Sequence, residues 1–322
     1  MKKIQILSAV FFLILLSAGV VAAQTTFISI GTGGTGGIYY PYGGGVAEIW
    51  SKHVEGVRAV AEVTGASVEN IKLAHKGETV IGLVMGDVAM AAYNGTDAFA
   101  DSKQNVLTLA TMYPNLLQVV ALKKSGITDI EQVKGRNIST GSPGSGTNFM
   151  AEAVLKALDI PLDSYKDSRL SFTESANALR DGTIDVGVWS VGPGTSSILD
   201  LATTHEITVL PFTPEQTQKI LAAEATYAGV NLSGGVYRGV DENVPTIGVW
   251  NVIICQASLD TDLVYELTKA LFEHNDYLTK IHPTASYTIP ENTVNYSPIP
   301  LHPGTIKYLE EKGHTVPDKL KP

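Results

Sequence analysis

Gly141-Ser142-Pro143-Gly144-Ser145-Gly146-Thr147 decides how this chain is read. The run before it, Asn137-Ile138-Ser139-Thr140, is short and rich in β-branched residues, as strands are. The run after it, 148–158, sets Phe149, Ala153, Val154 and Leu158 at helical spacing. The order is strand, glycine-rich turn, helix N-terminus, the repeating unit of an α/β domain. Glycine lets the backbone turn tightly and lets a ligand approach it. The first amides of a helix lack partners inside the helix, and the helix dipole favours negative charge there. Ser145 and Thr147 add hydroxyl donors. Two readings are open on these residues alone. One is an anion seat sized for a carboxylate or a phosphate. The other is a plain strand-to-helix turn with Ser or Thr as its N-cap.

A second such unit opens the body of the chain. A strand over 27–30 leads into Gly31-Thr32-Gly33-Gly34-Thr35-Gly36-Gly37, and a helix is expected through Gly45 to His53. Gly31, Gly33 and Gly36 form G-x-G-x-x-G, a pattern that binds dinucleotides in a Rossmann unit. Against that use, Tyr40-Pro41-Tyr42-Gly43-Gly44-Gly45 makes a poor first helical turn.

Outward from these two loops, strands alternate with helices. Strands are expected at 58–63, 87–91, 106–111, 118–122, 168–172, 184–189, 207–210 and 247–255. Helices are expected at 67–76 with Ser67 as N-cap, then at 97–101, 130–135, 174–181, 195–202, 213–221 and 262–275. Residues 77–83 read as a connection, and the chain after Ile281 as a proline-rich tail with a last helix near 305–312. Polar and aromatic residues gather after expected strand ends, at Tyr113 and at Trp189-Ser190. Ligands of open, mostly parallel sheets sit at that edge.

The length of 322 residues suits two α/β domains. A net charge of −9 without a Lys/Arg cluster argues against a nucleic-acid partner. Lys2 and Lys3 precede an apolar run over 4–20, and Val21-Ala22-Ala23 fits a small-residue cleavage site. An export signal cut after Ala23 is expected, with an uncleaved anchor as the alternative because the run nearly spans a bilayer. Either places the body outside the cytoplasm, away from the NAD pool that a dinucleotide site needs. Loss of the two lysines takes the charge from −9 to −11.

Catalytic apparatus is not visible. The sequence has no G-x-S-x-G elbow, no P-loop and no H-E-x-x-H, and its seven histidines lack metal-ligand spacing. The one cysteine, Cys255, lies in an apolar run and is expected to be a buried, inert thiol. No cofactor and no metal are expected. Glycine amides, hydroxyls and aromatic rings at strand ends suit capture of a small polar anion.

Five segments carry a resemblance. They are Ile30-Gly31-Thr32-Gly33-Gly34-Thr35-Gly36-Gly37-Ile38-Tyr39-Tyr40-Pro41, Thr64-Gly65-Ala66-Ser67-Val68-Glu69-Asn70, Gly86-Asp87-Val88-Ala89, the loop 141–147, and Asp185-Val186-Gly187-Val188-Trp189-Ser190. In this order, behind an export signal, they resemble the TAXI family, the solute-binding proteins of one class of TRAP transporters. The resemblance covers nearly the whole mature chain. It implies a type II periplasmic-binding fold, with two α/β lobes joined by a strand hinge around a central cleft. On that pattern lobe 1 is 24–117 with 254–322, and lobe 2 is 118–253. It implies a monomer that captures a small carboxylate, such as glutamate, glutamine or a dicarboxylate like 2-oxoglutarate, for an ion-driven membrane permease. Gly33, Thr35, Gly36, Tyr39, Ser67 and Asn70 would line the first lobe. Ser145, Gly146 and Thr147 would seat a carboxylate from the second, with Trp189 and Ser190 beside them, and Tyr113 and Asn94 complete the set. Asn94 departs from the glutamine expected near it. No arginine falls inside any motif, so amide donors must carry the anion. A sensory receptor of the same fold and a secreted α/β enzyme are the rival readings.

Overall fold

The computed structural model describes residues 25–77 and 81–322. The expected export signal, 1–23, lies outside the described residues, as do 78–80 of the expected connection. The first group of elements is β1 (Thr26–Gly31), α1 (Tyr39–His53), β2 (Val57–Glu62), α2 (Ser67–Lys76), β3 (Ile81–Met85), α3 (Gly86–Asn94) and β4 (Val106–Leu122). The second is β5 (Asn137–Ser139), α4 (Gly146–Ala157), β6 (Lys166–Asp167), α5 (Phe172–Asp181), β7 (Val186–Val191), α6 (Ser196–Thr204), β8 (Ile207–Val209), α7 (Pro214–Ala223), β9 (Tyr227–Leu232) and β10 (Val244–Gln256). The chain closes with α8 (Thr261–Glu273), α9 (Asn275–Ile281), α10 (Pro290–Tyr296) and α11 (Pro303–Glu311).

The strands form one continuous sheet in the order β2-β1-β3-β10-β4-β7-β5-β6, with β8 also on β4 and β9 also on β10. Its two ends are parallel, β1 with β2 and β3, and β5 with β6 and β7. Its centre is antiparallel, because β10 and β4 run against their neighbours. The sheet is therefore mixed rather than mostly parallel. The two long strands each serve both ends. β4 pairs with β10 as far as Leu116 and with β7 from Leu116 to Ala121. β10 pairs with β9 over 244–249 and with β3 over 251–255. This is an α/β fold of two lobes joined through two shared strands.

Apolar packing covers both faces of the sheet. Along β4, Leu116, Val120 and Leu122 point into one core while Leu117, Val119 and Ala121 point into the other. That alternation is the two-residue period of a strand buried on both sides. Cys255 is fully buried, and burial pushes its thiol well above the usual range. Burial keeps it neutral, as a packing residue.

Several elements differ from the sequence expectation. The expected strand at 87–91 is helix α3, and the strand lies just upstream at Ile81–Met85, overlapping the end of the expected connection. The run from Ile81 to Ala92 is apolar but for Asp87, and such a run does not distinguish a buried strand from a buried helix. The expected strand at 168–172 is coil leading into α5, whose N-cap Ser171 and N3 Glu174 form a capping box. Helix α1 begins at Tyr39 and runs through Pro41 and three glycines, despite their low propensity. Tertiary packing explains Gly43 and Gly45. A Cβ at Gly43 would come within 2.5 Å of Thr32, and one at Gly45 within 2.4 Å of Ile281. Ser67 is the first residue of α2 rather than its cap, and Ala66 takes the cap position. Tyr113 and Pro114 do not end a strand. They lie inside β4, beside an irregularity in its pairing with β10 that accommodates proline's missing N–H. Strand β9 had no counterpart in the sequence reading, and the tail holds α9 and α10 besides its last helix.

Candidate functional site

The two glycine loops face one another. Between them lies a cavity of about 440 Å³, lined by 33–39, 63–67, Met85, Asn115, Ser142, 145–147, 171–174, Ser190 and Val191. That volume suits a small molecule. Four helices bring their first residues to it. These are Tyr39 of α1, Ser67 of α2, Gly146 and Thr147 of α4, and Phe172 and Thr173 of α5. Each helix start carries a partial positive charge and unpaired amides. No Lys or Arg is among the described lining residues, and Glu174 is their one carboxylate. The site's positive potential therefore comes from backbone.

The loop 141–147 shows how the sequence builds one wall. Gly141 and Gly144 hold φ at +101° and +76°, which L side chains rarely adopt, and so turn the chain back onto the helix. Ser145 is the N-cap of α4, its Oγ accepting from the Asn148 amide at 3.0 Å. Among the described residues the amides of Gly146 and Thr147 have no protein acceptor and are free for a ligand. The Thr147 hydroxyl accepts from the Ser190 amide at 3.3 Å, so it also ties α4 to β7. Ser145 caps the helix, as the second reading of the loop has it, while the next two amides stay free.

Behind the cavity a hydrogen-bonded chain crosses both shared strands. The Tyr39 hydroxyl donates to Asn251 Oδ1 on β10. Asn251 Nδ2 donates to Asn115 Oδ1 on β4 at 2.8 Å and to the Tyr113 carbonyl at 2.7 Å. Asn115 Nδ2 donates to the Ser190 carbonyl on β7 at 2.9 Å. Burial, opposed by a hydrogen bond with Ser67, pushes the Tyr39 phenol well above its usual range, so it acts as a neutral donor. Ser67 Oγ accepts from the Met85 amide at 3.1 Å and fixes the start of α2 on β3.

The two walls are in contact. The Gly144 carbonyl accepts from the amides of Val68 and Glu69 at 3.0 and 3.3 Å. The hydroxyls of Thr195 and Ser196 donate to the Gly36 carbonyl at 3.2 and 3.4 Å. A Cβ at Gly36 would come within 2.4 Å of Thr173 Oγ1, and one at Gly146 within 2.6 Å of Ser67 Oγ. The cleft is thus described in a closed form.

Of the residues proposed from sequence, Gly33, Thr35, Gly36, Tyr39, Ser67, Ser145, Gly146, Thr147 and Ser190 are brought together on the cavity. Asn70, Asn94, Tyr113 and Trp189 do not line it. Asn70 is buried, and its Nδ2 donates to the carbonyls of Gly31, Thr32 and Leu83 while its Oδ1 accepts from Thr64. Asn94 is exposed at the far end of α3. Because that segment is a helix, eight residues carry Asn94 about 12 Å from its start. Tyr113 packs against Tyr42 in the core. Trp189 is buried behind Phe172, with ring centroids 6.1 Å apart, and donates to Ser197 Oγ at 3.2 Å. The sequence reading missed Phe172, Thr173 and Glu174. The Ser171-x-x-Glu174 spacing is a helix-start signal that marks this third loop.

Comparisons with known proteins agree with this architecture. The chain is similar to a protein of Bordetella bronchiseptica, at 18% identity and a TM-score of 0.54 over 91% of this chain and 90% of that one. It is similar to the binding-protein component of a phosphonate ABC transporter of Pseudomonas aeruginosa, at 14% identity and a TM-score of 0.53 over 81% and 79%. It is similar to a protein of Listeria monocytogenes described as an L-cystine ABC transporter, at 13% identity and a TM-score of 0.51 over 81% and 96%. At these identities the likeness is one of fold, the two-lobed fold of periplasmic binding proteins. A model of the NMT1-like family matches residues 30–313. The chain belongs to the NMT1-like family.

Proposed function

We propose that this chain is an extracytoplasmic solute-binding protein of the TAXI type, which captures a small carboxylate and delivers it to a TRAP permease. One observation carries the reading: four helix starts converge on a closed cavity whose described lining has no basic side chain. Backbone amides at helix starts hold an anion well, and the dipoles add to their pull. The carboxylate is placed against Gly146 and Thr147, with Gly33, Thr35, Gly36, Tyr39 and Ser67 on the facing wall and Ser190 at the base. Phe172, Ile38 and Met85 supply apolar surface for the ligand's methylenes. Asn70, Asn94, Tyr113 and Trp189 are left out of the ligand set, for the reasons given by their positions.

The mechanism follows from the two shared strands. We place the lobe boundaries near 117 on β4 and 253 on β10, close to where each strand changes partners. Bending there separates the walls, and a bound anion draws them together by satisfying amides on both. The permease then reads the closed form. The segment 1–23 serves as the export signal, and the protein acts as a monomer.

The test is a thermal-shift screen on the exported protein, stripped of ligand by unfolding and refolding. A ligand at about a hundred times its dissociation constant stabilises the native state by about 2.7 kcal/mol. For a chain of this size that is a shift of about 5 °C or more. Shifts with a few amino acids or dicarboxylates are expected. A shift with sugars, phosphonates or sulfonates and with no carboxylate would overturn the assignment. Consumption of the carboxylate that binds would move the protein to the enzymes.

A further inference from the structure

The four helix starts around the cavity are not alike. Neither α1 nor α4 has an acidic residue in its first turn. Helices α2 and α5 each carry one, Glu69 and Glu174. Glu69 is turned onto its own loop, where Oε2 accepts from the Gly65 amide at 2.6 Å, and it does not line the cavity. Glu174 does line it. Its Oε2 accepts from the Ser171 amide at 2.9 Å and from the Ser171 hydroxyl at 2.7 Å. Among the described residues no cation pairs with it, and its Oε1 has no recorded partner. Those Ser171 bonds hold the carboxyl below its usual range, so it is ionised at neutral pH.

The cavity is therefore polar from one side to the other. Two bare, positive helix starts face a helix start whose charge is offset by a fixed carboxylate. A ligand with two anionic ends gains at α1 and α4 and is repelled at Glu174. A ligand with one carboxylate and one ammonium gains at both. Resting on the carboxylate reading above, we infer that Glu174 sets the specificity of this site, selecting zwitterionic amino acids over carboxylates that lack the amino group. The amino acid's carboxylate takes the Gly146 and Thr147 amides, and its ammonium donates to Glu174.

Matched probes test this by calorimetry on the exported, ligand-stripped protein. L-glutamate is compared with glutarate, and L-glutamine with 4-carbamoylbutanoate, which differ only by the amino group. The wild type is expected to prefer the amino acid of at least one pair by about tenfold, the low end for a charged hydrogen bond because Glu174 is exposed to solvent. Glu174→Gln keeps the capping box, since glutamine also caps from this position, so the fold is retained. It is expected to remove that preference, weakening the amino acid about tenfold while leaving the deaminated probe as tight or tighter. Equal loss for both members of a pair, or an unchanged ratio, would overturn the role of Glu174 and leave the carboxylate site standing. Failure of all four probes to bind the wild type while another carboxylate shifts its melting would overturn the role of Glu174 alone, and failure of every carboxylate would overturn the reading on which it rests.

Discussion

The Val68 amide donates to the Gly144 carbonyl at 3.0 Å, joining the start of α2 to the glycine loop on the other side of the cavity. Helix α2 has no side-chain cap of its own, because Ala66 stands at the cap position. The Gly144 carbonyl fills that role for two amides, those of Val68 and Glu69. Opening the cleft breaks both bonds and returns these amides to water. The closed form is thus held partly by a helix cap borrowed from the facing wall, and its geometry leaves little room for added bulk.

Gly146→Val tests that tightness. A Cβ there meets Met85 Sδ at 2.5 Å and Ser67 Oγ at 2.6 Å, both on the facing wall. The backbone at Gly146 is ordinary helix, so the obstacle is contact and not φ. The variant is expected to fold, because its clashes arise only on closure. Its affinity for the native ligand should fall at least a hundredfold by calorimetry. Affinity within about threefold of wild type would remove Gly146 from the site.

Asn70 belongs to the scaffold, and Asn70→Asp separates that role from ligand binding. The buried amide donates to three backbone carbonyls. A carboxylate in its place turns oxygen toward those carbonyls and strands a buried charge. Denaturant melts should show a loss of several kcal/mol, about 3 or more. A variant as stable as wild type, with affinity alone reduced, would return Asn70 to the ligand set.

Trp189→Phe should leave affinity within about threefold, because Phe172 stands between Trp189 and the cavity. Stability should fall by about 1–2 kcal/mol with the lost bond to Ser197 and the lost volume. The ligand-induced fluorescence change should also shrink, since the indole reports on Phe172. A tenfold loss of affinity would mean that Trp189 meets the ligand directly.

Local signals were enough for the two glycine loops and for most of the site. Glycine clusters between a β-branched run and a helical period mark the turns at Gly33–Gly36 and Gly144–Gly146, and the same turns meet in the structure. What failed was whatever depends on contacts far apart in sequence. Asn94 follows a segment expected as a strand that is helix α3, and the eight residues of that helix carry it about 12 Å from the helix start. Trp189 was placed by its polar neighbour Ser190, but alternate residues of a strand face opposite sides. Ser190 therefore meets the cavity while Trp189 meets the core. Helix α1 needs glycine at 43 and 45 because Thr32 and Ile281 take the space, which no local propensity encodes.

Asp87 gives the protein a pH-dependent stability that the ligand site does not explain. It is buried at the start of α3, where Oδ2 accepts from the Tyr227 hydroxyl and Oδ1 from the Val88 amide, both at 2.8 Å. Burial pushes its carboxyl up to about 7, with Glu224 adding to the shift and the two hydrogen bonds opposing it. The folded value thus lies above the unfolded one, near 4. Between them the native state binds the extra proton, so stability falls as pH rises. The contribution is fully present below about pH 4 and is lost as pH passes through about 7, and it amounts to at most about 4 kcal/mol. Asp87→Asn removes the titration and keeps an oxygen for the Val88 amide. Melting temperatures of the two proteins, measured in steps from pH 5 to pH 8, should diverge. The variant should gain on the wild type as pH rises and exceed it at pH 8. Curves that stay parallel over that range would show that Asp87 does not hold a proton near neutrality.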